Sequence, residues 1–386
     1  MNKRKRTSPT TIAATFGLTV VGFASVAFAD ASNPPLEALG PPPIPADNPQ
    51  TPEKIELGKL LYFDSRIGGD ASVACSDCHE QKQGWGFNDS LSRGYPGVIH
   101  WRNSQTVINS AYLGKLFWTG SAKSLENQAP SAALGVVSGN GERDMVEARL
   151  AFIPEYVERF NDVFGDDWPK VNNAWRAIAA FERTLIHNDT PFDRYMRGDS
   201  AAMSEQQVRG MALFEGKANC IECHNGPLMT DQKYYNLGIE RAEEWFDNGM
   251  AQVTFRYEQY VKGTTEELYR IIKDDAGLYY RTKEKADMGK FRTPPLRYTL
   301  YTAPYMHAGK FFDFEEVVDF YDEGGGENEF TDGTLASAKT PLLKPLGLTD
   351  EEKEDLVAFL EALSGEELRM ETPQLPSYAP LPASVN

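Results

Sequence analysis

The chain has 386 residues, of which 41% are hydrophobic and 25% are charged. This length is sufficient for two ordinary domains, each with its own hydrophobic core. The formal net charge of −17 argues against a nucleic-acid-binding protein, because such proteins neutralise phosphates with Lys and Arg. The chain is too long, and its four Cys residues too few, for a small disulfide-stapled fold.

Residues 1–29 have the pattern of a secretory signal peptide. Basic residues at 3–6 precede an uncharged apolar stretch over 12–28, and Ala27-Phe28-Ala29 resembles a signal peptidase site. An uncleaved membrane anchor is the alternative, but the short apolar stretch and the small-residue site favour cleavage. No later stretch is long and apolar enough to span a bilayer.

Cleavage would remove four basic residues and leave a mature chain with a net charge of −21. We therefore expect a periplasmic protein with no membrane span after signal cleavage. A protein partner is expected to present a basic face to this acidic surface.

After a Pro-rich lead-in over residues 30–50, apolar periodicity predicts a mainly helical chain with long irregular loops. Ser204 with Gln207, and Thr349 with Glu352, have the spacing of capping boxes that open two further helices. The other predicted helices include residues 105–113, 143–152, 154–164 and 170–186.

All four Cys residues occur in two C-x-x-C-H motifs, Cys75-Ser76-Asp77-Cys78-His79 and Cys220-Ile221-Glu222-Cys223-His224. This motif attaches haem c covalently, because two thiols add to the porphyrin vinyl groups and the adjacent His binds iron. One zinc ion held by both Cys pairs, or two redox dithiols, are the alternatives. Two copies, no spare Cys and an export signal favour two covalently bound haems c.

The two motif histidines lie 145 residues apart, which predicts a separate cytochrome c-like domain for each haem. We place the N-terminal haem domain at 51–200 and the C-terminal haem domain at 201–365, with a tail over 366–386. A charged, aromatic segment at about 240–290 is predicted to be an insertion in the second domain.

Several further segments resemble the bacterial dihaem cytochrome c peroxidase and MauG superfamily, and we place the chain closer to the MauG-type branch. They include LGKLLYFDSRI at 57–67, LFWTGSAKSLENQA at 116–129, PFDRYMRGD at 191–199 and GKFRTPPLRYTLYTAPYMHAG at 289–309. The resemblance implies that the N-terminal haem activates hydrogen peroxide and that the C-terminal haem transfers electrons.

The resemblance also implies roles for individual residues. Trp118 corresponds to the tryptophan that couples the two haems. A calcium ion between the haem domains would be bound by the Asn103 side chain and by the carbonyls of Thr302 and Pro304, which are the hard oxygen ligands that calcium prefers.

Tyr321 matches the position of the sixth iron ligand of the second haem in MauG-type proteins. It also follows Phe314, Val317 and Val318 at helical spacing, so it is compatible with a simple apolar helix face. Met306 is the other nearby candidate, and a Met ligand would suit a high-potential haem.

The distal side of the first haem departs from the pattern of the peroxidases that need reductive activation. Tyr95 stands where those proteins have a distal His, and His100 reaches this position only if the loop register shifts. We interpret His100 as a loop histidine beside Trp101, and therefore expect the first haem to lack a sixth protein ligand.

Gln128 matches a distal-pocket glutamine of the family and is a candidate catalytic residue. The family's acid–base glutamate should lie ten residues later, where this sequence has Ser138. Glu126 and Glu142 are close to this position but out of register.

The sequence is compatible with three functions, of which we favour the first. The first is a dihaem oxidase that activates peroxide and oxidises a partner protein or redox donor, as MauG does. The second is a dihaem peroxidase that takes electrons from a small cytochrome. The third is an electron-transfer cytochrome without catalytic activity.

Overall fold

The computed structural model describes residues 33–380, except Pro96, Val98, Lys273 and residues 328–336. The predicted signal peptide at 1–29 lies outside the described residues. Within them, no helix is both long enough and apolar enough to cross a membrane.

The described residues are mainly helical with little sheet, which confirms the predicted mainly helical class. Two short strands, β1 (Tyr234–Tyr235) and β2 (Phe291–Arg292), pair in antiparallel orientation. The helices are α1 (Pro52–Tyr62), α2 (Leu125–Ala133), α3 (Arg143–Ala151), α4 (Pro154–Phe164), α5 (Val171–Glu182), α6 (Pro191–Met196), α7 (Glu205–Glu215), α8 (Glu243–Asp247), α9 (Gly249–Val261), α10 (Glu266–Ile271), α11 (Tyr279–Thr282), α12 (Phe314–Asp322) and α13 (Asp350–Ala362).

Local sequence chemistry explains where several helices begin. Ser204 and Gln207 form a reciprocal capping box at the start of α7, and Thr349 and Glu352 form one at the start of α13. Both predicted capping boxes are therefore confirmed. Pro154 occupies the first turn of α4, where its missing N–H costs no hydrogen bond.

The predicted helix over 105–113 is wrong, because only Ser110–Tyr112 forms a single 3-10 turn. Asn109 adopts a left-handed backbone conformation with φ of +59°, which interrupts a right-handed helix. The Thr106 hydroxyl donates to the Gly84 carbonyl, 22 residues away, so tertiary contacts determine this segment.

Two crossed helix pairs organise the chain, and each contains the helix that precedes a C-x-x-C-H motif. Helix α1 packs on α5, and α7 packs on α13. A Cβ at Gly58 would lie 1.9 Å from the Ala177 carbonyl oxygen, and one at Gly210 would lie 1.9 Å from the Asp355 carbonyl oxygen. Only glycine permits the helix backbones to approach this closely.

The described hydrophobic side chains form separate clusters around these helix pairs. The first contains Trp85 and Phe181 beside α1 and α5, and the second contains Phe214 and Phe359 beside α7 and α13. Residues of α8–α11 form a third cluster, which gives residues 243–282 an apolar core that includes Trp101. This cluster does not test the predicted domain boundaries or the predicted insertion at about 240–290.

The two ends of the described chain pack onto this core without regular structure. Leu36, in the Pro-rich lead-in, is buried in the second cluster, and the Leu39 amide donates to Asp193 Oδ1 at 3.1 Å. In the tail, the Leu368 carbonyl accepts a 2.8 Å hydrogen bond from the Trp85 indole N–H.

Replacing Gly210 with Ala should destabilise the protein by roughly 1–3 kcal/mol, because the new methyl group overlaps the α13 backbone. Chemical denaturation of the holoprotein would measure this change. Gly249→Ala is the matched control, since a Cβ at this helical glycine meets no atom within 4 Å. A loss of stability in the control as large as that in Gly210→Ala would contradict the close-approach explanation.

Candidate haem-binding and active site

The first C-x-x-C-H motif presents His79 in a form that is suited to bind iron. His79 Nδ1 lies 2.9 Å from the Gln105 carbonyl oxygen. A carbonyl oxygen only accepts hydrogen bonds, so Nδ1 carries the proton and Nε2 has a free lone pair. Burial lowers the pKa of His79 to about 4, so the imidazole is neutral near pH 7.

The second motif repeats this arrangement. His224 Nδ1 lies 3.1 Å from the Met229 carbonyl oxygen, and burial lowers the pKa of this imidazole as well. A hydrogen bond from the second ring nitrogen to a backbone carbonyl is how proteins orient metal-binding histidines. Both histidines therefore have the tautomer that an axial haem ligand requires.

The four motif cysteines form no disulfide bond, and each is partly buried. Burial raises the pKa of the Cys75 and Cys78 thiols, that of Cys220 to about 12 and that of Cys223 to about 11. Among the described residues, no three His, Cys, Asp or Glu side chains meet as a metal site. The two Cys pairs therefore do not converge on one shared zinc site.

A large cavity of about 1110 Å³ extends along both motifs. This volume exceeds the roughly 300–1,000 Å³ of common single-ligand sites. The cavity-lining residues that the sequence singled out are Cys75, Cys78, His79, His100, Asn103, Trp118, Gln128, Ser138, Cys220, Cys223, His224, Thr302, Pro304, Met306 and Tyr321.

Buried arginines add positive charge to the cavity wall. Arg241 is only 4% exposed, and its Nε and Nη2 atoms have no hydrogen-bond partner. Its Nη2 lies 3.9 Å from Asp275, whose carboxylate is already held by Arg102 at 2.6 Å. Unpaired guanidinium donors on a cavity wall match the carboxylate groups of haem propionates. The residues present therefore fit haem, and Arg241 would hold a propionate.

Trp118 occupies a rigid position in the cavity wall. Its indole N–H donates to the Asn103 carbonyl at 2.9 Å, and its own carbonyl accepts from the Arg292 amide at 2.8 Å. The indole also makes an edge contact with the His307 ring, with the centroids 6.3 Å apart. These contacts fix an aromatic ring in the same cavity as both motif histidines.

The three candidate calcium ligands also meet this cavity. The Asn103 amide nitrogen donates to the carbonyls of Phe87 and Asp89 at 3.2 and 3.1 Å. These bonds orient the amide nitrogen and leave the Asn103 side-chain oxygen available as a cation ligand. Thr302 and Pro304 line the cavity on either side of Ala303.

Tyr321 lies on α12, at the predicted helical position, and lines the cavity near the second motif. Burial raises its pKa, and the neighbouring Cys220 and Cys223 raise it further. Tyr321 therefore shares the cavity with Cys220 and Cys223 of the second motif. Met306 lines the same cavity, so both candidates for the sixth ligand remain.

His100, rather than Tyr95, lines the cavity. Its ring stacks on Trp101 with centroids 4.0 Å apart, as expected for the loop histidine that we predicted. Desolvation at the cavity wall lowers the His100 pKa to about 3, while the side chain remains partly exposed. The structure therefore places His100 in the cavity wall, and its position there does not identify it as an iron ligand of either haem.

The distal candidates divide into two groups. Gln128 and Ser138 line the cavity, but the Ser138 hydroxyl donates to the Ala132 carbonyl at 2.6 Å. Glu142 is exposed and accepts from the Met145 amide as the N-cap of α3. Its carboxylate therefore has a structural role at a helix end.

The charged residues of the cavity wall that sequence reasoning missed include Glu182 and Arg241. Glu182 follows Ile178 and Phe181 at helical spacing, so the sequence places a carboxyl on the core-facing side of α5. The burial of Glu182 could therefore have been predicted from the sequence. Arg241 lies in an irregular segment, where periodicity carries no information about burial.

The geometry defines a protein with two haem-attachment motifs that share one cavity, and comparisons with known proteins identify its class. Residues 52–201 match the family model described as di-haem cytochrome c peroxidase. The cytochrome-c peroxidase IdrP1 of Pseudomonas sp. (strain SCT) is 53% identical over 389 residues, covering 100% of both chains. The methylamine utilization protein MauG of Methylorubrum extorquens is 33% identical and covers 94% of each chain.

A solved structure, a MauG-like protein associated with microbial copper homeostasis, has a TM-score of 0.71 and 29% identity. It covers 85% of this chain and 94% of its own. The chain therefore belongs to the di-haem cytochrome c peroxidase and MauG family, and it is a peroxidase-type dihaem oxidoreductase. Family membership implies two haems c.

We expect a pyridine haemochrome assay to find two covalently attached haems per chain. The double variant Cys75→Ala/Cys78→Ala should retain one, since the second motif has its own histidine and carbonyl support. A result of one haem in the unmodified protein, or zinc in place of iron, would contradict this assignment.

Proposed function

We propose that this protein reduces hydrogen peroxide in the periplasm with electrons from a small redox protein. The observation that carries the proposal is that both C-x-x-C-H motifs and Trp118 line one cavity. Relatives with more than half of their residues identical that are named cytochrome-c peroxidases support the same activity. Two electrons and two protons convert one peroxide molecule to two water molecules.

In this proposal the two haem sites have different tasks. Bound haem iron would supply the redox chemistry, with peroxide cleavage at the His79 site and electron entry at the His224 site. Gln128 would orient peroxide through its amide group, and Trp118 would couple the two sites. The acidic chain, with a net charge of −17, would attract an electron donor that has a basic face.

A calcium ion is proposed to lie beside Trp118. Asn103 supports this position, since its carbonyl accepts the Trp118 indole N–H while its side-chain oxygen is available for the ion. The carbonyls of Thr302 and Pro304 would complete the protein ligands. Elemental analysis of the isolated protein that finds no calcium would contradict the assignment.

The MauG-type alternative, oxidation of a partner protein, is favoured by one specific feature. A phenolate at Tyr321 is a hard donor that would stabilise oxidised iron, whereas a Met ligand would favour a high-potential electron-transfer haem. This ligand sets the redox character of the second haem, whereas the donor consumed with peroxide, a small redox protein or a partner protein, separates the two candidate functions.

We predict that Tyr321 is the sixth ligand of the His224 haem. Tyr321→Phe removes the phenol oxygen but retains the ring on α12, so the low-spin EPR signal should become high-spin or change to a His/Met type. Met306→Leu is the matched control and should leave the signal unchanged. Loss of the low-spin signal only in Met306→Leu would assign the ligand to Met306.

The proposed activity and the role of Trp118 can be tested together. Steady-state peroxide reduction should occur with a reduced small basic cytochrome as donor. Trp118→Phe should retain both haems but lose most of this turnover, because phenylalanine is much harder to oxidise and lacks the N–H that Asn103 anchors. Full turnover in the variant would contradict the coupling role, and no turnover in the unmodified protein would favour an electron-transfer cytochrome.

A further inference from the structure

The last residue of α5, Glu182, is a buried carboxyl group that no side chain neutralises. It is 3% exposed, and its Oε2 atom has no hydrogen-bond partner. The side chain nevertheless lines the haem cavity. A buried polar atom without a hydrogen-bond partner carries an uncompensated cost of desolvation. A carboxyl group at a core-facing helix position is therefore costly if it serves packing alone.

The charged and titratable groups around Glu182 come from each of the packed elements. Tyr62 lies on α1, Cys75 belongs to the first motif, Glu126 lies on α2, and Arg183 follows directly after α5. Arg183 Nη2 forms its ion pair with Glu126 Oε1 at 2.6 Å. The Tyr62 hydroxyl donates to the His79 carbonyl at 3.1 Å. Neither group forms a hydrogen bond to Glu182.

The surroundings keep the Glu182 carboxyl protonated near neutral pH. Burial raises its pKa to about 8, with a smaller opposing effect from Arg183 and a further increase from Glu126. A protonated carboxyl is a hydrogen-bond donor and a proton source. When haem is attached, the Cys75 sulfur becomes a thioether and carries no titratable proton.

The location of Glu182 connects it with the candidate peroxide pocket. Helix α2, which carries Gln128, packs directly on α5, and both Gln128 and Glu182 line the cavity. Cys75 packs against the hydrophobic cluster that contains Phe181, the residue before Glu182, so the carboxyl lies on the side of the first haem motif. Gln128 and Ser138 cannot deliver a proton and recover it as a carboxyl group can.

We propose that Glu182 is the proton-donating residue of the peroxide-reducing pocket, in place of the glutamate that Ser138 replaces. This inference rests on the proposed peroxidase function. As the O–O bond of peroxide breaks, two electrons from the reduced donor enter, and the Glu182 carboxyl gives its proton to the departing oxygen. The solution supplies the second proton and a further proton that restores the carboxyl group, so that each turnover takes up two protons, two water molecules form and the residue is regenerated.

The decisive variant is Glu182→Gln, which conserves size and hydrogen bonding but cannot release a proton. Its peroxide-reduction rate should fall by about 10²-fold, the usual contribution of a positioned acid or base. Glu142→Gln is the matched control and should retain the full rate, because that carboxylate caps an exposed helix end. Haem content and the visible spectrum should match those of the unmodified protein.

A pH profile separates proton delivery from a structural role. In the unmodified protein the rate should decline as pH rises through about 8, where Glu182 loses its proton. Glu182→Asp should retain this decline at a reduced rate, whereas Glu182→Gln should lose it. If Glu182→Gln fails to incorporate haem, the profiles of the unmodified protein and of Glu182→Asp still decide the question.

Three results would overturn the inference. A full rate in Glu182→Gln would exclude proton delivery by this residue, and a loss confined to Glu142→Gln would assign it to Glu142. A rate independent of pH between 7 and 9 in the unmodified protein would also contradict it. By contrast, an unmodified protein that does not react with peroxide would disprove the proposed function itself.

Discussion

A metal-binding imidazole must be held in one tautomer and one orientation, and in this protein two backbone carbonyls meet that requirement. Gln105 accepts from His79 and Met229 accepts from His224, so each Nε2 lone pair is directed away from its carbonyl. Much of the surrounding chain serves to place these carbonyls. The Gln105 side chain is itself bonded by Arg292 at 3.3 Å, which ties the first site to β2.

This requirement explains why residues 105–109 are not helical despite their apolar periodicity. In an α-helix the Gln105 carbonyl would accept from the amide four residues later, so it would be less available to His79. The left-handed conformation of Asn109 and the hydrogen bond from Thr106 to Gly84 instead hold the segment open. The irregular conformation is therefore part of the support for the first motif.

The distribution of charge also follows from the cavity. The chain is strongly acidic as a whole, yet Arg102, Arg241 and Arg292 are buried or half-buried on the cavity wall. An arginine loses hydration on burial, and only an anion or several carbonyl oxygens can compensate. Arg102 forms an ion pair with Asp275. Arg241 has two guanidinium nitrogens, Nε and Nη2, without a hydrogen-bond partner, and these donors fit a propionate group.

The sequence alone determined the features that depend on short-range chemistry. The capping boxes gave the starts of α7 and α13, and the resemblance carried by intact segments gave the family. The C-x-x-C-H spacing predicts the attachment residues and the adjacent histidines. Such features can be predicted because each depends only on residues that are close together in the sequence. Roles that the resemblance assigned to Trp118, Tyr321 and Asn103 stay predictions, although all three side chains line one cavity.

The tertiary structure decided which residues far apart in the chain share the cavity. Glu182 lies 107 positions after Cys75 in the sequence, and Arg241 lies in a segment without periodicity. Their burial depends on the crossing of α1 with α5 and on the packing of residues 243–282 against Trp101. The close helix approach at Gly58 and Gly210 likewise could not be predicted from the neighbouring residues, because it depends on the backbone of another helix. Long-range packing of this kind cannot be derived from residue spacing, since spacing describes one element at a time.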